Sequence, residues 1–170
     1  MGAPVKMRHV PAVPFRQRGV AAIEFALMLL FGILPLLLLT FTGVMIFAAQ
    51  QSLSLASAEG ARAALQYGST AQRQMNACNA AQRSMAWLLT YANENANCAT
   101  PSSPGGTYAP IAVSGSAPCP SNASALCITV VASFDYNNHP FIPGTRTLYG
   151  WALGTNLSST ATVQLDPTGS

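Results

Sequence analysis

Between Glu24 and Glu59 the chain runs 34 residues without a charge. Its densest part, Phe25 to Ala49, reads FALMLLFGILPLLLLTFTGVMIFAA, and Thr40 and Thr42 are its only polar side chains. As a helix this part rises about 37 Å at ~1.5 Å per residue. A bilayer core of about 30 Å takes about 20 residues, so the segment can span it with some tilt. The rival assignment is a buried core helix, but a chain of 170 residues holds too little protein to cover such a helix on every side. We therefore place a transmembrane helix over residues 20–49. Pro35 is expected to kink it, because proline lacks an N–H and its ring crowds the carbonyl of Phe31.

The charges are few and unevenly placed. Only 8% of the residues are charged, where a soluble domain has about 25%, and half are hydrophobic, which excludes an intrinsically disordered chain. Lys6, Arg8, Arg16 and Arg18 precede the apolar run with no acid among them. Beyond them, Arg62, Arg73, Arg83 and Arg146 face five acids, so the basic character belongs to a short leader, residues 1–19. A nucleic-acid-binding domain needs its cations grouped on a folded face, and nothing here supports one. The cations flanking the span keep the N-terminus cytoplasmic and send residues 50–170 across the membrane.

The cysteines agree with an exported domain. Cys78, Cys98, Cys119 and Cys127 all follow the span, where oxidation is possible. Without a C-x-x-C pair a zinc site is disfavoured, and two disulfides are expected. Three connectivities are open; the local pairs Cys78–Cys98 and Cys119–Cys127 are favoured because they close the shortest loops.

Beyond the span the pattern changes from helical to extended. The region from Gln50 to Tyr67 is Ala-rich and free of Pro, so the spanning helix continues outward. Ala56, Gly60 and Ala64 form a small-residue stripe on it, which either lets another backbone approach closely or reflects only Ala-rich helix propensity. Glu59 and Arg62 are spaced to pair on its exposed side. Gly68-Ser69-Thr70 reads as a helix stop and a new N-cap. A second helix follows over Ala71–Tyr91, with Met75, Cys78, Ala81 or Gln82, Met85, Leu88 and Leu89 on its core face. Asn93 to Asn97 end it, and Pro101 to Gly106 are a loop by composition. Ile111 and Val113 suggest a short strand. Leu126, Ile128, Val130, Ala132, Phe134 and Tyr136 alternate with their neighbours as a half-buried strand does, until Asn137-Asn138-His139-Pro140 breaks the run. A last strand is expected near Ser159–Leu165, with Ala161, Val163 and Leu165 on one face. The fold class is α+β: a long N-terminal helix, a second helix, and a small C-terminal antiparallel sheet.

The residues where leader meets span carry the most information about function. Arg16-Gln17-Arg18-Gly19-Val20-Ala21-Ala22-Ile23-Glu24-Phe25 joins a basic leader to a Gly, four small or apolar residues, a lone Glu and an aromatic residue. A carboxylate at the edge of a span is costly to bury and is a functional candidate by default. This junction resembles the prepilin family, and most closely the TadE-like minor pilins (pseudopilins) of the tight-adherence (Tad, or Flp) pilus system. The resemblance covers about residues 16–68, and Glu59-Gly60-Ala61-Arg62 is similar to the family's acidic-Gly-Ala-Arg run. It implies a pilin-like fold, cleavage after Gly19 by a prepilin peptidase with Val20 as the first mature residue, and an assembly role for Glu24 and Phe25. It implies as partners the bacterial inner membrane, that peptidase, and other pilins and pilus assembly proteins.

Two rival classes compete with this reading. Ala56-Ser57-Ala58 fits the A-x-A pattern of signal peptidase, whose cut after Ala58 would release a soluble disulfide-containing protein. The apolar run is far longer than the ~7–15 residues of a signal-peptide core. An enzyme has little support: His9 lies in the leader, His139 lies in a turn with Asp135, and no G-x-S-x-G, H-E-x-x-H or phosphate loop occurs. No catalytic residue, cofactor, metal, nucleic acid or small-molecule substrate is expected.

Overall fold

In a computed structural model of the chain, residues 18–95, 98–99, 109–147, 149 and 156–165 are described. The basic leader through Gln17 and the loop at Pro101–Gly106 lie outside them. The chain divides into two compact units, residues 1–40 and 41–170.

The first unit is helical throughout its described part. Helix α1 (Arg18–Met28) leads into a π turn over Leu29–Ile33, and α2 (Leu34–Ala64) follows. In the π turn the N–H of Leu34 bonds the carbonyl of Leu29, five residues back. This wider turn sits directly before Pro35, the residue that cannot donate a helical bond, so the helix accommodates the proline by a local change of hydrogen-bond register. Every residue from Gly19 to Phe41 is exposed.

From Thr42 the same helix α2 acquires a buried side. Thr42, Ile46, Ala49, Leu53, Ala56, Gly60 and Ala64 recur every three or four residues, and all are buried. This heptad-like spacing presents one stripe to the rest of the domain. Helix α3 (Thr70–Ser84) returns along it. A capping box starts α3: the Ser69 hydroxyl accepts from the Gln72 N–H, and the Gln72 side chain accepts from the Ser69 N–H.

The single second helix expected over Ala71–Tyr91 is in fact two, α3 and α4 (Ala86–Ala92), broken at Met85. The cause is a tertiary contact. The Ser52 hydroxyl of α2 donates to the Ser84 carbonyl at 3.1 Å, the acceptor that an unbroken helix would offer to Leu88. The Leu88 N–H turns instead to the Met85 carbonyl at 3.0 Å. The core face also starts later than expected. Met75 and Gln82 are exposed, whereas Ala77, Ala81, Met85, Leu88, Leu89 and Ala92 are buried.

A five-stranded sheet packs on these helices. Its spine is β4 (Asn122–Phe134). Along one edge of it pair β2 (Ile111–Val113) and β3 (Ala117–Cys119), and along the other β5 (Leu157–Leu165), all antiparallel. The two-residue β1 (Cys98–Ala99) adds to β2 in parallel. Ile128, Val130, Ala132, Phe134 and Tyr136 alternate into the main core as expected. Leu126 does not: it is 42% exposed. Near Leu126 the buried positions switch to Ala125 and Cys127, which form a separate small cluster with Cys119 on the other face of the sheet, next to a register shift in β3. On β5, Leu157 and Leu165 are buried, and Ala161 and Val163 lie on the same face.

Candidate functional site

The residues singled out by sequence fall into three places. The first is the start of α1. Gly19 has open space where a Cβ would project, and Val20 and Phe25 are 66% and 64% exposed. Glu24 is four residues after Val20, so the two share one face of the helix. Among the described residues nothing forms an ion pair or hydrogen bond with its carboxylate. The stretch Gly19–Ala64 is long and apolar enough to cross a membrane, and its most apolar window is wholly uncovered. A lone carboxylate on such a surface can accept hydrogen bonds or pair with a cation.

The second place is the stripe of Ala56, Gly60 and Ala64. It is fully used within the chain. A Cβ at Gly60 would stand 2.9 Å from Val130 Cγ1, 3.1 Å from the Ala77 carbonyl oxygen and 3.3 Å from Ala81 Cβ. The close approach that small residues permit is thus made by α3 and β4. Beside the stripe, the buried Ser57 hydroxyl is satisfied by the Ser54 carbonyl and by Ser159 Oγ at 3.0 Å. The Glu59-Gly60-Ala61-Arg62 run divides by side: Gly60 and Ala61 are buried, while Arg62 Nη1 holds Glu59 Oε1 at 2.9 Å on the surface.

The third is the pair of disulfides. Cys78 of α3 joins Cys98 of β1, and Cys119 of β3 joins Cys127 of β4, with Cα atoms 6.0 and 5.0 Å apart. One ties the helical layer to the sheet; the other closes the β3–β4 hairpin. No cysteine is free.

Two features escaped the sequence reading. Phe141, in the turn after β4, is packed among Trp87 and Tyr91 of α4 and Phe134 and Tyr136 of the strand end. The Tyr91 hydroxyl donates to the Pro140 carbonyl at 2.8 Å, and Tyr136 meets Thr145 Oγ1 at 3.0 Å. Burial first, and the neighbouring Tyr136 second, push the Tyr91 phenol above its usual range. Asp135 is committed to this turn, accepting from the N–H groups of Asn137 and Asn138. A phenylalanine between two prolines was the one available signal for this clasp. The second feature is a polar groove of about 440 Å³ between the end of α2 and α3, in which Arg83 joins Glu59 and Arg62.

The family model for TadE-like proteins matches residues 19–62, from the glycine before the apolar helix to the arginine that ends the Glu-Gly-Ala-Arg run. No curated protein and no solved structure matches the chain.

Proposed function

From this match we infer that the chain is a minor-pilin (pseudopilin) component of Tad (Flp) pilus assembly. In this reading it is anchored by one pass through the bacterial inner membrane and cut after Gly19 by a prepilin peptidase. The observation that carries it is the junction at Gly19–Phe25: a glycine, then a lone carboxylate without a partner among the described residues, then bare apolar helix, all inside the TadE-like match. The leader stays cytoplasmic, and the disulfide-bearing domain lies on the exported, oxidising side.

The chemistry assigned to Glu24 follows from the cut. Val20 gains an α-amine that is cationic at neutral pH. At the rim of a low-dielectric phase an unpaired ion costs several kcal/mol, so each charge seeks a partner. The chain's own amine is held at the end of the same helix, whereas a neighbouring subunit's amine can approach Glu24 from the side. Glu24 therefore recruits the next subunit and sets its axial register. No catalytic step is assigned to this chain.

Release by signal peptidase after Ala58 fits the fold poorly. That cut would remove Ile46, Ala49, Leu53 and Ala56 from the core of the domain it sets free. The mature N-terminus separates the readings, since Edman sequencing would begin at Val20 in one case and at Glu59 in the other. With Gly19→Leu we expect a precursor heavier by the leader. With Glu24→Gln we expect cleavage and insertion to persist while co-purification with other pilins is lost. Normal pilin association in Glu24→Gln would remove Glu24 from the mechanism.

A further inference from the structure

We propose that the groove between the end of α2 and α3 is a docking site for an acidic polypeptide segment of a partner protein. It gives the domain an anionic protein partner, and it rests on the assembly reading only for that partner's being a pilus component.

Seven charged side chains occur among the described residues beyond Phe41, and three of them, Glu59, Arg62 and Arg83, line this one groove. Glu59 and Arg62 belong to one face of α2; Arg83 comes from α3, one turn after Asn79 and two after Asn76, which line the groove with it. Packing does not account for the charges. Gly60 and Ala61 carry the buried half of that turn, while the Arg62 side chain is 75% exposed. Its pairing with Glu59 is an exposed i,i+3 contact, which contributes little and is readily exchanged.

Arg83 has no carboxylate partner among the described residues. Its Nε donates to the Asn79 carbonyl at 3.1 Å, which fixes the side chain along α3 and leaves its terminal nitrogens for an incoming acceptor. The groove thus holds two guanidiniums against one carboxylate. A guanidinium takes a carboxylate through paired, charge-assisted hydrogen bonds. The amides of Asn76 and Asn79 both donate and accept, which suits the peptide groups flanking an acidic side chain. An anionic lipid headgroup is disfavoured by distance: from Ala49, where the expected span ends, to Arg62 is about 20 Å along α2 at ~1.5 Å per residue.

The test uses the full chain in neutral detergent micelles, with the arginine Nε–H and Asn side-chain amides followed by ¹⁵N NMR. The probes are a peptide of four glutamates, the same peptide with four glutamines, and inorganic phosphate. We expect saturable shifts at Arg62, Arg83, Asn76 and Asn79 with the glutamate peptide alone, lost in 0.5 M salt (Debye length about 4 Å). Arg83→Gln should weaken the peptide about fivefold, and Arg146→Gln should leave it unchanged. Three results each overturn the proposal: no shifts, equal shifts with the glutamine peptide, or equal shifts with phosphate. An affinity indifferent to Arg83→Gln would do so too. Glu24→Gln is expected to leave this titration untouched, so failure of the groove and failure of the Glu24 reading are distinguished.

Discussion

Two stretches of one helix, α2, lie in opposite surroundings. Leu34 to Phe41 are exposed on every side, with Leu36 and Leu37 more than 60% accessible. Beyond them, Leu53 is fully buried, and Ala56, Ser57, Gly60 and Ala64 lie against α3 and the sheet. Both hydrophobicity and side-chain size fall along the helix, with Leu53 the large side chain that the second stretch buries. Bulky Leu and Phe occur where the chain itself covers nothing, and Ala, Gly and Ser where another backbone comes within contact distance.

The comparison can be broken most directly with leucines. Leu53→Ala should destabilise the domain by about 3 kcal/mol through the lost burial and the cavity left behind. Leu37→Ala should leave its urea midpoint, read by tryptophan fluorescence in micelles, where it was. Equal effects would mean that the two stretches are not energetically distinct. A finer contrast uses the glycines. Gly32→Ala adds a Cβ that meets nothing within 4 Å, so it should be neutral or stabilise slightly by helix propensity. Gly60→Ala gains the same propensity but must displace Val130 Cγ1 and press on the Ala77 carbonyl. A net loss of about 1.5 kcal/mol is expected. A stabilised Gly60→Ala would show that α3 retreats at little cost.

The smallest expected effect concerns the clasp around Phe141. Tyr91→Phe removes the hydrogen bond to Pro140, worth about 0.5 kcal/mol at this exposed position. The phenol of the folded protein titrates above its unfolded value, because burial favours the neutral form. Its contribution is therefore fully present below pH about 10 and is lost as pH rises through the folded value. Between pH 9 and 11.5 the wild-type urea midpoint should fall more steeply than that of Tyr91→Phe. Parallel slopes would place the cause of alkaline destabilisation elsewhere.

How legible these features were depended on whether local pattern or distant contact decided them. The period-two run of β4 and the Ser69 cap could be read because each is a local signal with one physical meaning. The two local disulfides also follow the shortest loops. The break at Met85 could not be read, because it is made by Ser52, more than thirty residues away. Leu126 failed for a related reason: alternation identifies a face, but not where the covering layer stops. The stripe on α2 was visible only at Ala56, Gly60 and Ala64, since nearer the apolar run the buried and bare sides are equally hydrophobic. Among the candidate site residues, Glu24 stood out because one carboxylate interrupts an uncharged background. Arg83 did not, because its relation to Arg62 exists only once α3 folds back.

That α2 serves as the bare helix and also as a wall of the core has a mechanical consequence. Helix α2 continues without a break from Leu34 to Ala64, so a pull applied at its N-terminal end reaches the buried stripe through the helix backbone. The load would be taken as shear along Leu53, Ala56 and Gly60 against α3 and β4, with many contacts resisting together rather than parting one by one. Loss of the domain under tension is then a matter of unfolding rate rather than of equilibrium stability.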